Sequence, residues 1–224
     1  MSAFEIIDWN QYAAPFQSVM PYEMVRLNRD VASMLYGSVA DFGCGAGKII
    51  PFVSSEEAIT RYIGIDMSAD MVNGARWMAN QFPGKPIDII ESRIESVRIE
   101  PVDSAVSINS YYTWDDPVRV LTHIYRHISE GGRFVLATLN HFIDMPALLE
   151  EAKKEQIANP YWEEFSKQNL AICESPNTHF ISLDELIEQV RDVGFSVIRA
   201  HTDYYDGGLN FLVLKTRGIR SEFI

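Results

Sequence analysis

The run Asp41-Phe42-Gly43-Cys44-Gly45-Ala46-Gly47 holds three glycines at alternate positions behind a carboxylate. Glycine without a Cβ lets the backbone approach a ligand closely, and a helix opening just after it aims free N–H groups at that ligand. Asp66 follows 19 residues beyond the last glycine, at the end of a second apolar run. A carboxylate there can accept two hydrogen bonds from a ribose diol, so the pair implies a nucleoside-containing ligand. A second group is Asn109-Ser110-Tyr111-Tyr112-Thr113-Trp114-Asp115-Asp116, with three aromatic rings and two acids. Aromatic faces attract cations, and Asn109, Tyr111 and Tyr112 are candidate pocket residues. His141, beside Asn140, has the chemistry of a general base.

The details disfavour phosphate ligands. A dinucleotide turn reads G-x-G-x-x-G, and a phosphate-binding loop reads G-x-x-x-x-G-K followed by Ser or Thr. Here only three residues separate Gly43 from Gly47, and Lys48 is followed by Ile49. Asp41 beside the turn repels a pyrophosphate and favours an ammonium group. The 224-residue chain sums to −12, a poor match to the counterion-release binding of nucleic acids or to anionic membranes. Cys44 and Cys173 show no metal-ligand spacing and fit a reducing compartment. The opening residues, with Glu5 and Asp8, lack a leader pattern, and no apolar run is long enough to span a bilayer. A cytoplasmic chain of one domain, 1–224, is expected.

The elements that must position these residues alternate in β and helical period. Strands are expected at Val39–Phe42, Arg61–Asp66, Pro86–Ile90, Ser104–Ile108 and Arg133–Thr138, then at Phe195–Thr202 and Leu209–Thr216. The last two join at Asp206-Gly207-Gly208 as an antiparallel pair. Ser68 caps a helix burying Met71, Val72, Ala75, Met78, Ala79 and Phe82 and ending at Pro83-Gly84. A helix from Pro117 should bury Val118, Leu121, Ile124, Tyr125 and Ile128 and stop at Gly131-Gly132. Ser182 and Glu185 form a capping box for a helix closed by Gly194. Residues 1–38 read as an aromatic N-terminal helical cap, with Trp9, Tyr12, Phe16, Tyr22 and Arg26. Residues 143–178 read as a helical insert forming a lid.

With DFGCGAG, GIDMSADMVNGAR, HISEGGRFVLATLN and the terminal NFLVLKTR in place, the chain from Val31 to Thr216 resembles the class I S-adenosylmethionine-dependent methyltransferases. The resemblance implies an α/β, Rossmann-like, mostly parallel seven-stranded sheet of order 3-2-1-4-5-7-6, with helices on both faces and an insert before the last helix. It also implies S-adenosylmethionine as cofactor. Gly43, Gly45 and Gly47 would line its methionine part, and Asp41 would support the turn or face the amino group. Asp66 would hold the ribose, Met67 would lie on the adenine, and Tyr12 would close over the cofactor. Where the family often has Asp and a small residue after the third strand, this chain has Ser92-Arg93-Ile94. Ile94 offers a backbone N–H to the adenine edge, while the Arg93 side chain cannot accept from the exocyclic amine. Asn109 falls where the family's catalytic-face motif begins.

The expected activity is methyl transfer to a small-molecule acceptor in metabolism, by in-line displacement, with Asn109, Tyr111, Tyr112 and His141 as catalytic candidates. No metal is called for, nor nucleic acid or membrane; a homodimer is open. An alternative is a cyclase that closes the cofactor's own side chain to an azetidine-2-carboxylate type amino acid and releases methylthioadenosine. A second is a non-catalytic cofactor-binding partner protein.

Overall fold

Two apolar layers follow from period-two patterning in the central strands. The computed structural model describes residues 9–217, and the leader reading on Glu5 and Asp8 lies outside them, as does the start of the cap. Helices α1 (Trp9–Ser18) and α2 (Tyr22–Ala32) precede β1 (Gly37–Phe42), α3 (Ile50–Ser55), β2 (Ile59–Asp66), α4 (Ala69–Asn80) and β3 (Ile87–Glu91). Then come β4 (Val102–Ile108), α5 (Pro117–Arg126), β5 (Ile128–Leu139), α6 (Met145–Gln156), α7 (Trp162–Glu174), α8 (Leu183–Val193), β6 (Phe195–Tyr204) and β7 (Leu209–Thr216). The seven strands form one sheet of order β3-β2-β1-β4-β5-β7-β6. Strand β7 runs antiparallel to β5 and β6, and the other pairs are parallel. This is the Rossmann-like α/β architecture expected from the motifs.

Alternate residues feed opposite cores. Val39, Tyr62, Val106, Val135, Ala137, Phe211 and Val213 pack with α1–α4, α6 and α7. Ala40, Phe42, Ile63, Ile65, Phe134, Leu136 and Leu212 pack with α5 and α8. The cap and the insert therefore share one face of the sheet. They meet through polar bonds: Tyr22 N–H donates to Glu155 at 3.0 Å, Asn159 Nδ2 to the Ser18 carbonyl at 3.0 Å, and Gln156 Nε2 to the Met20 carbonyl at 3.3 Å.

Ser68 accepts from Met71 N at 3.4 Å, and the Ser182–Glu185 capping box is complete. Gly194 closes α8 with φ 118°, a left-handed conformation that suits glycine. Helix α4 ends at Asn80, short of Pro83-Gly84.

The helix from Pro117 departs from expectation. It stops at Arg126, and Ile128 opens β5 instead of extending the helix. Gly131, with φ 71°, lies inside the strand, where the register jumps from Val102 opposite Ile128 to Ser104 opposite Arg133. The glycine absorbs an excursion of the strand rather than stopping a helix. Val118 is exposed in the first turn of α5, and Val120 takes its place in the core.

Candidate active site

Every strand end that bears on the site projects toward one cavity of about 420 Å³, within the range of small-molecule sites. Beneath it, β1 and β2 present two carboxylates. Asp41 is buried and accepts from Tyr62 Oη at 2.6 Å. Burial raises its pKa to about 7; the Tyr62 hydrogen bond lowers it and the Asp66 charge raises it further. Asp66 is raised as well, first by burial, against hydrogen bonds from the Ser68, Gly45 and Met67 backbone. Its Oδ2 accepts from Gly45 N at 2.8 Å and its Oδ1 from Ser68 N at 2.9 Å. A carboxylate offers about four lone-pair sites, so capacity remains for a ligand hydroxyl beside the three backbone donors.

The turn between the acids is a cradle that side chains would fill. Gly43, Gly45 and Gly47 have φ of 84°, 52° and 76°. A Cβ at Gly43 would meet Ser110 at 2.5 Å, and one at Gly45 would meet the Phe16 ring at 3.0 Å. Gly47 is a correction: it does not line the cavity, and its α-carbon faces α4, where a Cβ would lie 3.2 Å from Ala75. Its part is close helix packing. Cys44 lines the cavity, but burial pushes its thiol well up, as befits a small filler and not a nucleophile.

The lining brings together Tyr12, Asp41, Gly43, Gly45, Asp66 and Met67. It also includes Arg93, Ile94, Asn109 and Tyr112. The Arg93 guanidinium turns to the rim, 3.4 Å from Asp115 and 3.5 Å from Glu95. Two catalytic candidates fall outside. Tyr111 points to the opposite core, donating from Oη to Gln189 at 2.7 Å and packing on Trp114. Consecutive residues of the short 3₁₀ turn at Tyr111–Thr113 face different ways, so Tyr112 lines the cavity and Tyr111 does not. His141 is solvent-exposed, 3.9 Å from Glu185, and does not touch the cavity.

Three contributors were not singled out from the sequence. Tyr205, in the β6–β7 turn, belongs to the cavity lining, and its hydroxyl is buried. The Asn109 side chain lies within hydrogen-bonding reach of that hydroxyl, and Asn109 Oδ1 is likewise buried. Both residues hold left-handed backbone, φ 54° at Asn109 and 53° at Tyr205. Such conformations cost free energy and persist where the surroundings impose them. Ser110 joins Ser107 Oγ at 2.8 Å, donates to the Phe42 carbonyl at 3.2 Å and accepts from Trp114 Nε1 at 3.2 Å. It thereby ties the second aromatic run to the glycine turn. Lys48 is buried in the lining. A positive-φ glycine run is visible in a sequence, whereas the Tyr205 turn carries no comparable signal.

A sheet of this order with a glycine turn and an acid at its first two strand ends defines a nucleoside-binding Rossmann-like protein. A family model described as a methyltransferase domain matches residues 16–200, so the chain belongs to that family, the class I S-adenosylmethionine-dependent methyltransferases. The uncharacterized methyltransferase YdaC of Bacillus subtilis strain 168 is 28% identical over 98 residues, 43% of this chain and 52% of that relative. The chain thus aligns with about half the length of that curated relative. Among solved structures, the [4+2]-cyclase SpnF aligns with TM-score 0.72 and 13% identity, over 97% of both chains. A SAM-dependent methyltransferase of Aquifex aeolicus aligns with TM-score 0.61 and 17% identity, over 96% of this chain and 98% of that one. At these identities the structures speak for the fold.

Proposed function

We propose that the chain binds S-adenosylmethionine along the glycine turn and transfers its methyl group to a small, largely apolar acceptor. The observation that carries this reading is the continuity of the cavity. It runs from the acid-flanked glycine turn into a chamber walled by Tyr12, Phe16, Met24, Leu149, Phe165 and Tyr205, from the cap, the insert and the β6–β7 turn. The residues fit the cofactor: Asp66 keeps acceptor capacity at the end of β2, Gly43 and Gly45 bring bare backbone to the cavity wall, and Asn109 Oδ1 is buried beside them. When bound, S-adenosylmethionine supplies an activated methyl group on a sulfonium leaving group.

The work left to the protein is orientation and exclusion of water. Holding a nucleophile at near-attack distance supplies on the order of 7–11 kcal/mol of a barrier. The burial of Tyr12, Tyr112, Phe165 and Leu149 keeps the chamber dry. Asn109 and Tyr205, side by side in the lining, are the polar groups placed to steady an acceptor. A net charge of −12 favours a metabolite over nucleic acid. No helix among the described residues is long and apolar enough to cross a membrane.

Mass spectrometry after incubation with the cofactor tests the proposal. S-adenosylhomocysteine formed only when candidate acceptors are added supports transfer. Methylthioadenosine formed without an acceptor replaces it with the cyclase reading, and binding without either product makes the chain a cofactor-binding partner. The chamber beyond the glycine turn is what favours transfer, because closing the cofactor's own side chain requires no second compartment.

A further inference from the structure

We propose that Lys48 is the carboxylate-binding residue of the cavity, its ammonium held ready by the cap for a ligand carboxylate; this rests on the cofactor-binding reading above. Lys48 leaves the glycine turn and runs beneath the cap. It is 6% exposed, and its Nζ bonds to the Val19 carbonyl and to Met24 Sδ at 2.9 Å. The rings of Phe16 and Phe165 lie 4.2 and 5.5 Å from Nζ. An ammonium has three donors, and two are used by a carbonyl and a weak thioether acceptor. No carboxylate balances the charge among the described residues. Burial lowers the lysine's proton affinity with no anionic neighbour opposing it.

Six acids of the lining are engaged elsewhere. Asp41 bonds Tyr62, Asp66 bonds Gly45 and Ser68, Glu23 pairs with Arg26 at 2.6 Å, Glu155 accepts from Tyr22, Glu151 pairs with Lys154, and Asp115 pairs with Arg93. The uncharged groups of the chamber point to the same ligand chemistry. Tyr12 Oη accepts from Asn169 Nδ2 at 2.7 Å, which leaves its own proton unspent beside the third donor of Lys48. Unspent donors around one uncompensated cation call for an acceptor-rich anion. A buried charge without a counter-ion is costly, and a methionine would pack the same space without that cost. The carboxylate has two sources, the aminobutyrate end of the cofactor or the acceptor molecule.

Calorimetry on the full chain separates the sources. One arm compares S-adenosylhomocysteine with its decarboxylated analogue. The other, with S-adenosylhomocysteine present, compares 3-phenylpropionate with 3-phenylpropionamide. We expect the carboxylate-bearing probe to bind at least about tenfold more tightly in one arm, as a charge-assisted bond warrants, and Lys48→Met to erase that preference. Lys48→Gln, which can still donate to the Val19 carbonyl, serves if the first variant does not fold. Absence of a preference in both arms of the unmodified chain overturns the assignment, as does a preference that survives both substitutions. Failure of the unmodified chain to bind S-adenosylhomocysteine refutes the cofactor reading instead.

Discussion

Replacing Asp41 by asparagine should make the ligand-free protein more stable at alkaline pH and somewhat less stable in acid. In the folded chain the Asp41 carboxyl titrates at about 7, against an ordinary 3.8. Between those values the folded state keeps a proton that the unfolded chain has released. Stability therefore falls as pH rises through this window, and the loss is complete above the folded value. A difference of about three between the two pKa values is worth roughly 4 kcal/mol. Asparagine keeps an acceptor for the Tyr62 hydroxyl but cannot ionise. Allowing about 1–2 kcal/mol for imperfect hydrogen bonding, Asp41→Asn should gain about 2–3 kcal/mol at pH 8, or roughly 4–12 °C in Tm for a chain of this size. Urea melts of both proteins across pH 4 to 8.5, without cofactor, measure the difference directly. Titrating groups remote from Asp41 are common to both and cancel, and Asp66, whose charge raises the Asp41 pKa, is relieved in the same direction by the substitution. A stability difference that stays constant across that range would refute the assignment of the slope to Asp41.

The remaining predictions concern the same cavity. Asp66→Ala should weaken S-adenosylhomocysteine binding by about 1–3 kcal/mol through lost charge-assisted bonds; unchanged calorimetric affinity in a folded variant removes Asp66 from the site. Gly43→Ala, at φ 84° and with Ser110 2.5 Å from the new Cβ, should destabilise the fold by more than about 1 kcal/mol, read by thermal melting. Tyr205→Phe deletes a hydroxyl whose polar neighbour is the Asn109 side chain. It should lose no more than about 1.5 kcal/mol of stability and its cofactor affinity should not move, while turnover with an acceptor drops; a normal rate would exclude the hydroxyl from acceptor handling.

Much of the scaffold was legible because it depends on local rules. Ser68, the Ser182–Glu185 box and Gly194 act within a turn of their own helices. The glycines of the first turn announce their left-handed backbone by being glycines. The start of β5 was hidden because Gly131 looks the same whether it ends a helix or kinks a strand, and only pairing with β4 decides. Within the site, Gly47 read as cavity-lining because it shares the motif's spacing, yet its neighbour is Ala75 of a later helix. Tyr111 and Tyr112 are chemically alike and adjacent, and a single turn sends them to opposite cores. Tyr205 and Lys48 meet the cavity through packing across some hundred residues or more of chain, as Lys48 does with Phe165, and no spacing rule encodes that.

The cap and insert share one face of the sheet, while the carboxylates and the glycine turn sit on strand ends. This divides labour in a way descendants can exploit. Residues that grip the common cofactor are built into the structural frame, so altering them threatens folding itself. The residues proposed to choose an acceptor lie on the cap, the insert and a hairpin tip, which pack together over one face of the sheet. Drift in those outer pieces retunes selectivity while the frame stays intact, which lets a lineage explore new substrates without inventing a new protein.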